Sequence, residues 1–368
     1  MSTRGLTMAI AAVSAVLLVS CGKPAPPPQP VAPVSHTVTI DNAQPRRDVD
    51  GHILDAHGGC IQYFNGLFYL YGTAYGTNLN SMDTRDYFVA YSSPDLQQWK
   101  LEGRLIPDQP EGVYTRPYVV FNATTHKYVL WYNWFPKLWD GQAGVATSDS
   151  PIGPFTVVTP AAHLRGNGPG DGSLFQDDDG TGYYIYTSMK EKYSVRVERL
   201  TPDYLDTSGQ VSGVFVRGTE APVLFRRGAT YYVLVGSLCP DCPQGNEVFV
   251  LTATNPLAHF EPRLDWNINR RTEAGARPVS DQTNHVILDA DQSVPNIAAQ
   301  QTWVLKMPGA GEPVFLWLGD RWGSTPDGQK GHDFQYWSPP MEFDATGRLL
   351  PLQNVPKWSV TWEARPAQ

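Results

Sequence analysis

Residues 171–186 read DGSLFQDDDGTGYYIY, and this stretch contains a complete strand–turn–strand pattern. The Asp-Gly pair at 179–180 supplies the positive φ that a tight turn between antiparallel strands requires. The aromatic run YYIY that follows is typical of a strand. We therefore interpret Asp177, Asp178 and Asp179 as turn residues. They do not match an EF-hand calcium loop, which needs acids at alternate positions and a glutamate at the twelfth.

Aromatic strands of the same kind recur along the chain, namely FYLYGT, YVLWYN, YYIYTS, YYVLVG and VFLWLG. They return about every 50 residues, which suits one four-stranded sheet per repeat. Three further stretches, at 91–99, 147–155 and 252–260, each place a proline turn before a large aromatic residue. No segment shows a sustained helical period. The pattern predicts an all-β, five-bladed β-propeller. A β-sandwich, the alternative, would not need this regular spacing.

The N-terminal sequence is typical of an exported protein. Residues 1–20 contain one arginine and a short apolar run, which indicates a signal peptide rather than a membrane-spanning helix. The end of this run resembles a bacterial lipobox, which implies that Cys21 is lipidated. Residues 21–44 then form a proline-rich linker, and residues 45–368 are predicted to be one domain. An ordinary cleaved signal is the alternative.

These features predict a lipid-anchored bacterial lipoprotein in the periplasm or at the cell surface, with the outer membrane favoured. It would touch the membrane through its anchor only. The formal charge of −8 and the pI near 5.5 argue against a nucleic-acid partner. In an exported protein, the CPDC pair Cys239 and Cys242 favours a disulfide, with free thiols or a metal half-site as alternatives. Cys60 is expected to be a buried thiol.

Two acids stand just before strands of the repeat, Asp171 in GNGPGDGSLF and Glu220 in GTEAPVLF. The first strand of each propeller blade begins near the central axis, so both carboxylates should face one axial pocket. Glycoside hydrolysis needs an acid for the leaving oxygen and a base for water. A neighbouring carboxylate can also raise the pKa of the acid. Asp171 and Glu220 are therefore candidate catalytic residues.

The order of these motifs resembles glycoside hydrolase family 43. Asp171 precedes LFQDDDG, Glu220 opens EAPVLF, and the corners SPDLQQW and SPIGPF lie in matching places. The resemblance implies an inverting glycosidase that uses a base, a general acid and a residue that modulates the pKa of the acid. By this resemblance Glu220 is the general acid, and Asp171 tunes and orients it.

One branch of the family, the exo-acting β-1,3-galactan hydrolases, is similar in further motifs. These are AHGG at 56–59, RPYVVFNATTHKYVLW from Arg116, AQQTWVLKMP at 299–308 and GDRW at 319–322. The branch carries a glutamate before its Arg-Pro pair and another after the first aromatic strand. Here these positions hold Thr115 and Thr73, which leaves the exact sugar open.

The catalytic base has several candidates. His57 stands where the usual base of the family would be, and the resemblance to the galactanase branch implies that Gln300 relays the proton from water instead. Asp55 lies two residues before His57, so in a strand both side chains share a face. Asp55 is therefore an alternative base, and His57 itself or the absence of any base are the remaining alternatives.

Additional sugar contacts are predicted from residue type. Arginines could bond sugar hydroxyls, and indole rings could stack on the apolar faces of pyranoses, although ion pairing and core packing are the alternatives. The predicted substrate-binding residues are His57, Arg116, Thr115, Trp134, Arg321 and Trp322, and Trp337 is a further stacking candidate.

The sequence as a whole predicts an inverting, exo-acting glycoside hydrolase on a plant-type polysaccharide, with β-1,3-galactan or arabinogalactan favoured. An α-L-arabinofuranosidase or β-xylosidase of the same family is the alternative activity. A sugar-binding lipoprotein without catalysis is the alternative from another class. We expect a monomer whose partner is a polysaccharide or oligosaccharide. No cofactor should be required, although a central structural cation is compatible with the fold.

Overall fold

The computed structural model describes Met1 and residues 34–79, 85–109, 112–137, 140–238, 245–269, 296–309 and 312–364. The contacts within the chain divide it into a unit of residues 1–32 and a unit of residues 33–368. The predictions for Cys21, Cys239 and Cys242 lie outside the described residues. No helix in the described part of the chain is long and apolar enough to cross a membrane.

The strands form five sheets and one two-stranded ribbon, all antiparallel within each sheet. The ribbon pairs β1 (Val34–Asp41) with β21 (Lys357–Ala364). Blade 1 contains β2 (His57–Phe64), β3 (Leu67–Ala74), β4 (Tyr87–Ser93) and β5 (Lys100–Arg104). Blade 2 contains β6 (Val113–Asn122), β7 (Lys127–Phe135), β8 (Gln142–Ser148) and β9 (Thr156–Thr159). Blade 3 contains β10 (Pro169–Gln176), β11 (Gly182–Ser188), β12 (Ser194–Leu200) and β13 (Thr207–Val211). Blade 4 contains β14 (Thr219–Arg227), β15 (Thr230–Ser237), β16 (Val248–Ala253) and β17 (Glu261–Asn267). Blade 5 contains β18 (Gln300–Met307), β19 (Val314–Arg321) and β20 (Phe334–Pro340).

The first strands of the five sheets form a closed ring. Each of β2, β6, β10 and β14 contacts the first strand of the following blade, and β18 returns to contact β2. The aromatic second strands lie directly outside this ring and are almost wholly buried. The prediction of an all-β, five-bladed propeller is confirmed.

The DDDG segment forms the predicted hairpin turn between β10 and β11. The N–H of Gly180 donates to the carbonyl of Asp177 at 2.9 Å, and Gly180 has a φ of 80°. Asp177 also reaches the next blade, because its carboxylate accepts hydrogen bonds from Arg226 (2.8 Å) and from the hydroxyl of Tyr231 (2.5 Å). The turn therefore also ties blade 3 to blade 4.

The three proline corners each connect the third and fourth strands of a blade. In each corner the aromatic residue is buried, and these residues are Trp99, Phe155 and Phe260. In the first corner the carboxylate of Asp95 accepts the backbone N–H groups of Gln97 and Gln98 at 2.9 and 2.8 Å. These bonds fix the turn, which places the aromatic ring beneath the sheet.

Blade 5 has three strands among the described residues, where the repeat predicted four. The outer edge of β20 is covered by Asn42, which follows β1. The Asn42 side chain accepts the N–H of Trp337 at 3.0 Å and donates to the carbonyls of Trp337 and Val355 at 2.9 and 3.1 Å. One side-chain amide thus bonds this edge as a neighbouring strand would. Trp337 is buried in the core and offers no face for stacking on a sugar.

Candidate active site

Five of the predicted functional residues lie at the beginnings of the inner strands. His57 opens β2, Gln300 opens β18, and the others lie within the first four residues of their strands, namely Arg116 in β6, Asp171 in β10 and Glu220 in β14. Because the inner strands form a ring, their starts meet at one end of the axis. The ring therefore brings together residues that are far apart in the sequence.

Every inner strand carries an irregularity just after its start. The pairing with the second strand shifts register between His57 and Cys60, Thr115 and Tyr118, Pro169 and Gly172, Glu220 and Val223, and Gln301 and Trp303. Such bulges bend a strand and re-aim its side chains, and they are common beside active sites. Arg116 and Ala221 lie in these bulges with φ values of 57° and 50°, which is unusual for residues other than glycine.

Glu220 is held by two side-chain amides. It is buried, and its Oε1 accepts hydrogen bonds from Nε2 of Gln300 at 2.8 Å and from Nδ2 of Asn246 at 3.1 Å. Arg116 is close enough for the Glu220 charge to raise its pKa. The predicted acid thus lies among polar donors in a site largely closed to water.

Asp171 forms an ion pair with Arg116, with 2.7 Å between Oδ2 and Nη2. The other end of the guanidinium donates to the carbonyl of Gln301 at 2.9 Å. Burial alone would lower the pKa of Arg116, but the charge and hydrogen bond of Asp171, together with Tyr118 and the charge of Glu220, raise this pKa above its ordinary value. Arg116 therefore stays charged and fixes the orientation of the Asp171 carboxylate, whose side chain is 22% exposed.

The Gln300 amide is bonded at both ends. Its Nε2 donates to Glu220, and its Oε1 accepts the indole N–H of Trp322 at 2.8 Å. Trp322 is buried, and the Lys330 ammonium lies 3.7 Å from the centre of its ring. The sequence suggested Trp322 as a stacking surface for a sugar. In the structure its N–H donates to Gln300 and Lys330 lies over its ring.

His57 is completely buried between two carboxylates. Its Nδ1 lies 3.2 Å from Oδ1 of Asp320, and its Nε2 lies 3.7 Å from Oδ1 of Asp55 and makes no hydrogen bond. Burial would lower the pKa of His57, but the charge of Asp320 and its hydrogen bond, aided by Asp55 and Asp333, raise it above the ordinary 6.5. The raised pKa favours the protonated, positively charged form of His57.

Asp55 accepts two backbone hydrogen bonds from the loop that follows β3. Its Oδ1 accepts the N–H of Tyr75 at 2.9 Å, and its Oδ2 accepts the N–H of Gly76 at 2.6 Å. A base for water needs an oxygen directed at that water. Both oxygens of Asp55 are engaged in holding the loop, so this geometry favours a structural role.

Three further predicted residues, Thr115, Trp134 and Arg321, make contacts outside this cluster. Thr115 is half-buried and pairs with Asn133 across β6 and β7. Trp134 stacks on Tyr114 with 6.0 Å between ring centres, and its indole N–H donates to the carbonyl of Pro160. Arg321 points to the carbonyl of Asn42 at 3.5 Å. None of these three contacts Glu220 or Asp171 among the contacts that the described residues make.

One group of side chains has the composition and spacing of a cation site. Oxygen and nitrogen atoms of Asp48, Asp50 and His52 lie within 4.8 Å of one another, in the segment before β2. Asp50 and His52 are exposed, and exposed acidic groups of this kind are common without a metal. This group does not belong to the cluster around Glu220.

A model of glycosyl hydrolases family 43 matches residues 75–294, which is more than half of the chain. The chain belongs to family 43. A curated relative, the arabinoxylan arabinofuranohydrolase of Bacillus subtilis (strain 168), is 30% identical over 161 residues. This match spans 33% of the chain and 29% of the length of that relative.

Several solved structures share the fold of this family 43 chain. An exo-β-1,3-galactanase from Clostridium thermocellum has a TM-score of 0.68 at 22% identity, over 87% of this chain and 66% of that one. An exo-β-1,3-galactanase from Phanerochaete chrysosporium with β-1,3-galactotriose has a TM-score of 0.68 at 21% identity, over 88% and 68% of the two chains. A family 43 β-1,3-galactosidase with galactodeoxynojirimycin has a TM-score of 0.68 at 23% identity, over 87% and 99%. At these identities the likeness shows the fold.

Sequence reasoning about this family 43 member missed two residues with direct contacts in the cluster. Asn246 donates to Glu220, but it precedes β16 in a stretch, GNEVF, that carries no recognisable catalytic pattern. Asp320 bonds His57 and also accepts the N–H of Gly58 at 2.6 Å. Asp320 lies within the GDRW motif, so that motif was the signal that could have indicated it.

Proposed function

We propose that this family 43 glycosidase is an inverting, exo-acting enzyme that hydrolyses β-1,3-linked galactan. The observation that carries the proposal is the meeting of Glu220 and Asp171 around Arg116, at the starts of neighbouring inner strands. The galactan specificity is supported by the AHGG, RPYVVFN and GDRW motifs and by the solved galactanases that share the fold.

In this proposal Glu220 donates a proton to the glycosidic oxygen as the bond to the anomeric carbon breaks. Asp171, held by Arg116, orients the acid and the sugar and places a negative charge near Glu220. Water attacks the anomeric carbon from the opposite face. In inverting enzymes the acid and the base for this water are about 6.5–9.5 Å apart.

Gln300, Asp55 and His57 are the candidate residues for activating the water. Gln300 is 2.8 Å from the acid and Asp55 is bonded to a loop, while His57 is buried between Asp55 and Asp320. The resemblance of AQQTWVLKMP to the galactanase branch supports Gln300 as the relay for water, whereas its 2.8 Å contact with the acid is shorter than the usual separation of an inverting acid and base. We propose that water is activated through Gln300, with Asp55, His57 or no base as the alternatives.

A second candidate activity is arabinofuranoside hydrolysis, which the match to the Bacillus subtilis arabinoxylan arabinofuranohydrolase favours. Thr115 and Thr73, which replace two glutamates of the galactanase branch, are compatible with this candidate. A sugar-binding protein without turnover is the alternative from another class. We further propose that the protein is exported, lipid-anchored through Cys21 and monomeric, and that it requires no cofactor. These proposals rest on the composition and motifs of the sequence.

A substrate panel tests the proposed function. Wild type, Glu220→Gln and Glu198→Gln would be incubated with oligosaccharides of β-1,3-galactan, arabinan and xylan. Glu198 is the matched control, because it is a buried glutamate that accepts bonds from Arg165 (2.7 Å) and Tyr186 (2.6 Å) in a structural position. We expect turnover of the galactan by wild type and Glu198→Gln, and a loss of about a thousandfold in Glu220→Gln.

Two other results would change the proposal. Turnover of arabinan alone would replace the galactan specificity by the arabinofuranosidase alternative. Binding of one sugar without turnover, unchanged in Glu220→Gln, would indicate the sugar-binding protein.

A further inference from the structure

The hydrogen bonds around Glu220 fix the orientation of two side-chain amides. Gln300 must direct its Oε1 toward Trp322, since an indole N–H can only donate. Asn246 must direct its Nδ2 toward the carbonyl of Ser237, since a carbonyl can only accept, and this distance is 2.6 Å. Neither amide can be turned round without losing a buried hydrogen bond.

With these orientations, both amides present N–H groups to the same carboxylate oxygen. Gln300 Nε2 and Asn246 Nδ2 lie 2.8 and 3.1 Å from Oε1 of Glu220. A carbonyl oxygen is a better acceptor of two N–H groups than the hydroxyl oxygen of a protonated carboxyl. Oε1 is therefore favoured as the carbonyl oxygen when Glu220 is protonated.

We propose that Trp322 and Asn246 are positioning residues that assign the transferable proton of Glu220 to Oε2. This inference rests on the proposed function of Glu220 as the general acid. Besides its proposed role with water, Gln300 would also position the acid, because the amide that Trp322 orients contacts Glu220. Trp322 acts through Gln300, and Asn246 acts directly on Oε1.

The same bonds assist the proton transfer. As the Oε2 proton moves to the glycosidic oxygen, the bond from that oxygen to the anomeric carbon breaks, and its electron pair stays on the oxygen. Water supplies the new bond to the anomeric carbon and loses its own proton to the base. Glu220 becomes a carboxylate, and the two N–H groups stabilise the charge that develops on it.

The test compares two glycosides that differ in their need for an acid. In β-1,3-galactobiose the leaving group is a sugar hydroxyl, whose oxygen must be protonated as the bond breaks. In 2,4-dinitrophenyl β-galactoside the leaving group is dinitrophenolate, which departs without protonation. Trp322→Phe keeps an aromatic ring but removes the N–H. We expect its kcat on the disaccharide to fall about tenfold to a hundredfold with KM within about twofold, and its kcat on the dinitrophenyl glycoside to change less than about threefold.

The pH profile gives an independent readout. N–H donors favour the carboxylate over the neutral acid, so their loss makes Glu220 hold its proton to higher pH. The alkaline limb of kcat, which reports deprotonation of the acid, should move to higher pH in Trp322→Phe. Asn246→Ala should show the same leaving-group dependence and the same direction of movement, which covers the case in which Trp322→Phe fails to fold.

Trp303→Phe is the matched control. Trp303 lies in the same blade and is buried, but its indole N–H donates to the carbonyl of Ile61 at 3.1 Å. It should behave as wild type on both glycosides. Equal losses on both glycosides in Trp322→Phe and Asn246→Ala, with an unmoved alkaline limb, would overturn the inference alone. No turnover of either glycoside by wild type would overturn the proposed function and the inference with it.

Discussion

At the scale of single residues, Arg116 bonds one predicted carboxylate, Asp171, and lies close enough to the other, Glu220, to be affected by its charge. It is buried, it lies in a bulge with positive φ, and it divides its donors between Asp171 and the carbonyl of Gln301. A buried guanidinium without its partner costs far more than a surface charge, because the desolvation is no longer offset. The pair should therefore matter for stability as well as for the reaction.

Asp171→Asn tests the Arg116 pair. We expect the free energy of unfolding to fall by about 2 kcal/mol, less than for a fully buried pair because Asp171 is partly exposed, and kcat to fall at least about a hundredfold. Urea unfolding and initial rates measure the two effects. The control is Asp140→Asn, which removes a pair with Lys190 that is half-exposed on both sides and should leave both quantities unchanged. Equal destabilisation by the two variants would contradict this account.

His57 should make stability depend on pH. Burial lowers the pKa of His57, but the charge and hydrogen bond of Asp320, together with the charges of Asp55 and Asp333, raise this pKa in the folded state above 6.5. A group whose pKa is higher in the folded state than in the unfolded state stabilises the folded protein. This contribution is complete at pH values below the unfolded-state pKa and is lost as the pH rises through the folded-state pKa. The excess Tm of wild type over His57→Gln should thus be largest below about pH 6.5 and shrink at higher pH.

The control for this measurement is His163→Gln. The hydrogen bond to Asp206 and the charge of Asp206 also raise the pKa of His163. The His163 side chain is exposed, however, so solvent screens this pair. Its removal should change Tm little across the range. A wild-type excess that grows with pH would show that His57 is neutral in the folded protein.

At the scale of elements, the sequence carried enough local information to predict the blades. Asp179-Gly180 makes a turn because glycine accepts positive φ, and the proline corners bury Trp99 and Phe155 because nearby side chains fix the turn. Each signal lies within a few residues. The three-stranded form of blade 5 among the described residues had no such signal, since the amide that bonds the edge of β20 comes from Asn42, 295 positions before Trp337.

Asn42→Ala tests whether the Asn42 amide stabilises the edge of β20. The change removes the acceptor of the buried N–H of Trp337, while the carbonyl of Trp337 keeps the indole N–H of Trp358 at 3.0 Å. A buried backbone group left unsatisfied costs about 1–3 kcal/mol, so we expect a loss of that size in the free energy of unfolding. Thr37→Ala is the control, since Thr37 lies on the exposed face of β1 and bonds only the hydroxyl of Thr361 among the described contacts. Equal, small effects would contradict the proposed role of Asn42.

At the scale of the whole propeller, ring closure is what builds the site. Asp171 and Glu220 could be predicted because both stand at equivalent places in a repeat. The contacts that hold the site could not be predicted, because they join different strands and loops and no local pattern encodes them. They are the bonds of Asn246 with Glu220, Trp322 with Gln300, and Asp320 with His57. The sequence thus indicated two acids near the starts of inner strands, but not the polar side chains that hydrogen-bond to them.

The most direct test of the account follows the first product formed. Wild type would hydrolyse β-1,3-galactotriose in an NMR tube, and the anomeric signals of released galactose would be recorded before mutarotation. An acid at Glu220 acting with attack by water from the opposite face predicts that α-galactose appears first and that Glu220→Gln releases none at a comparable rate. Initial release of β-galactose would show retention through a covalent intermediate, and it would contradict the assignment of Glu220 and Asp171.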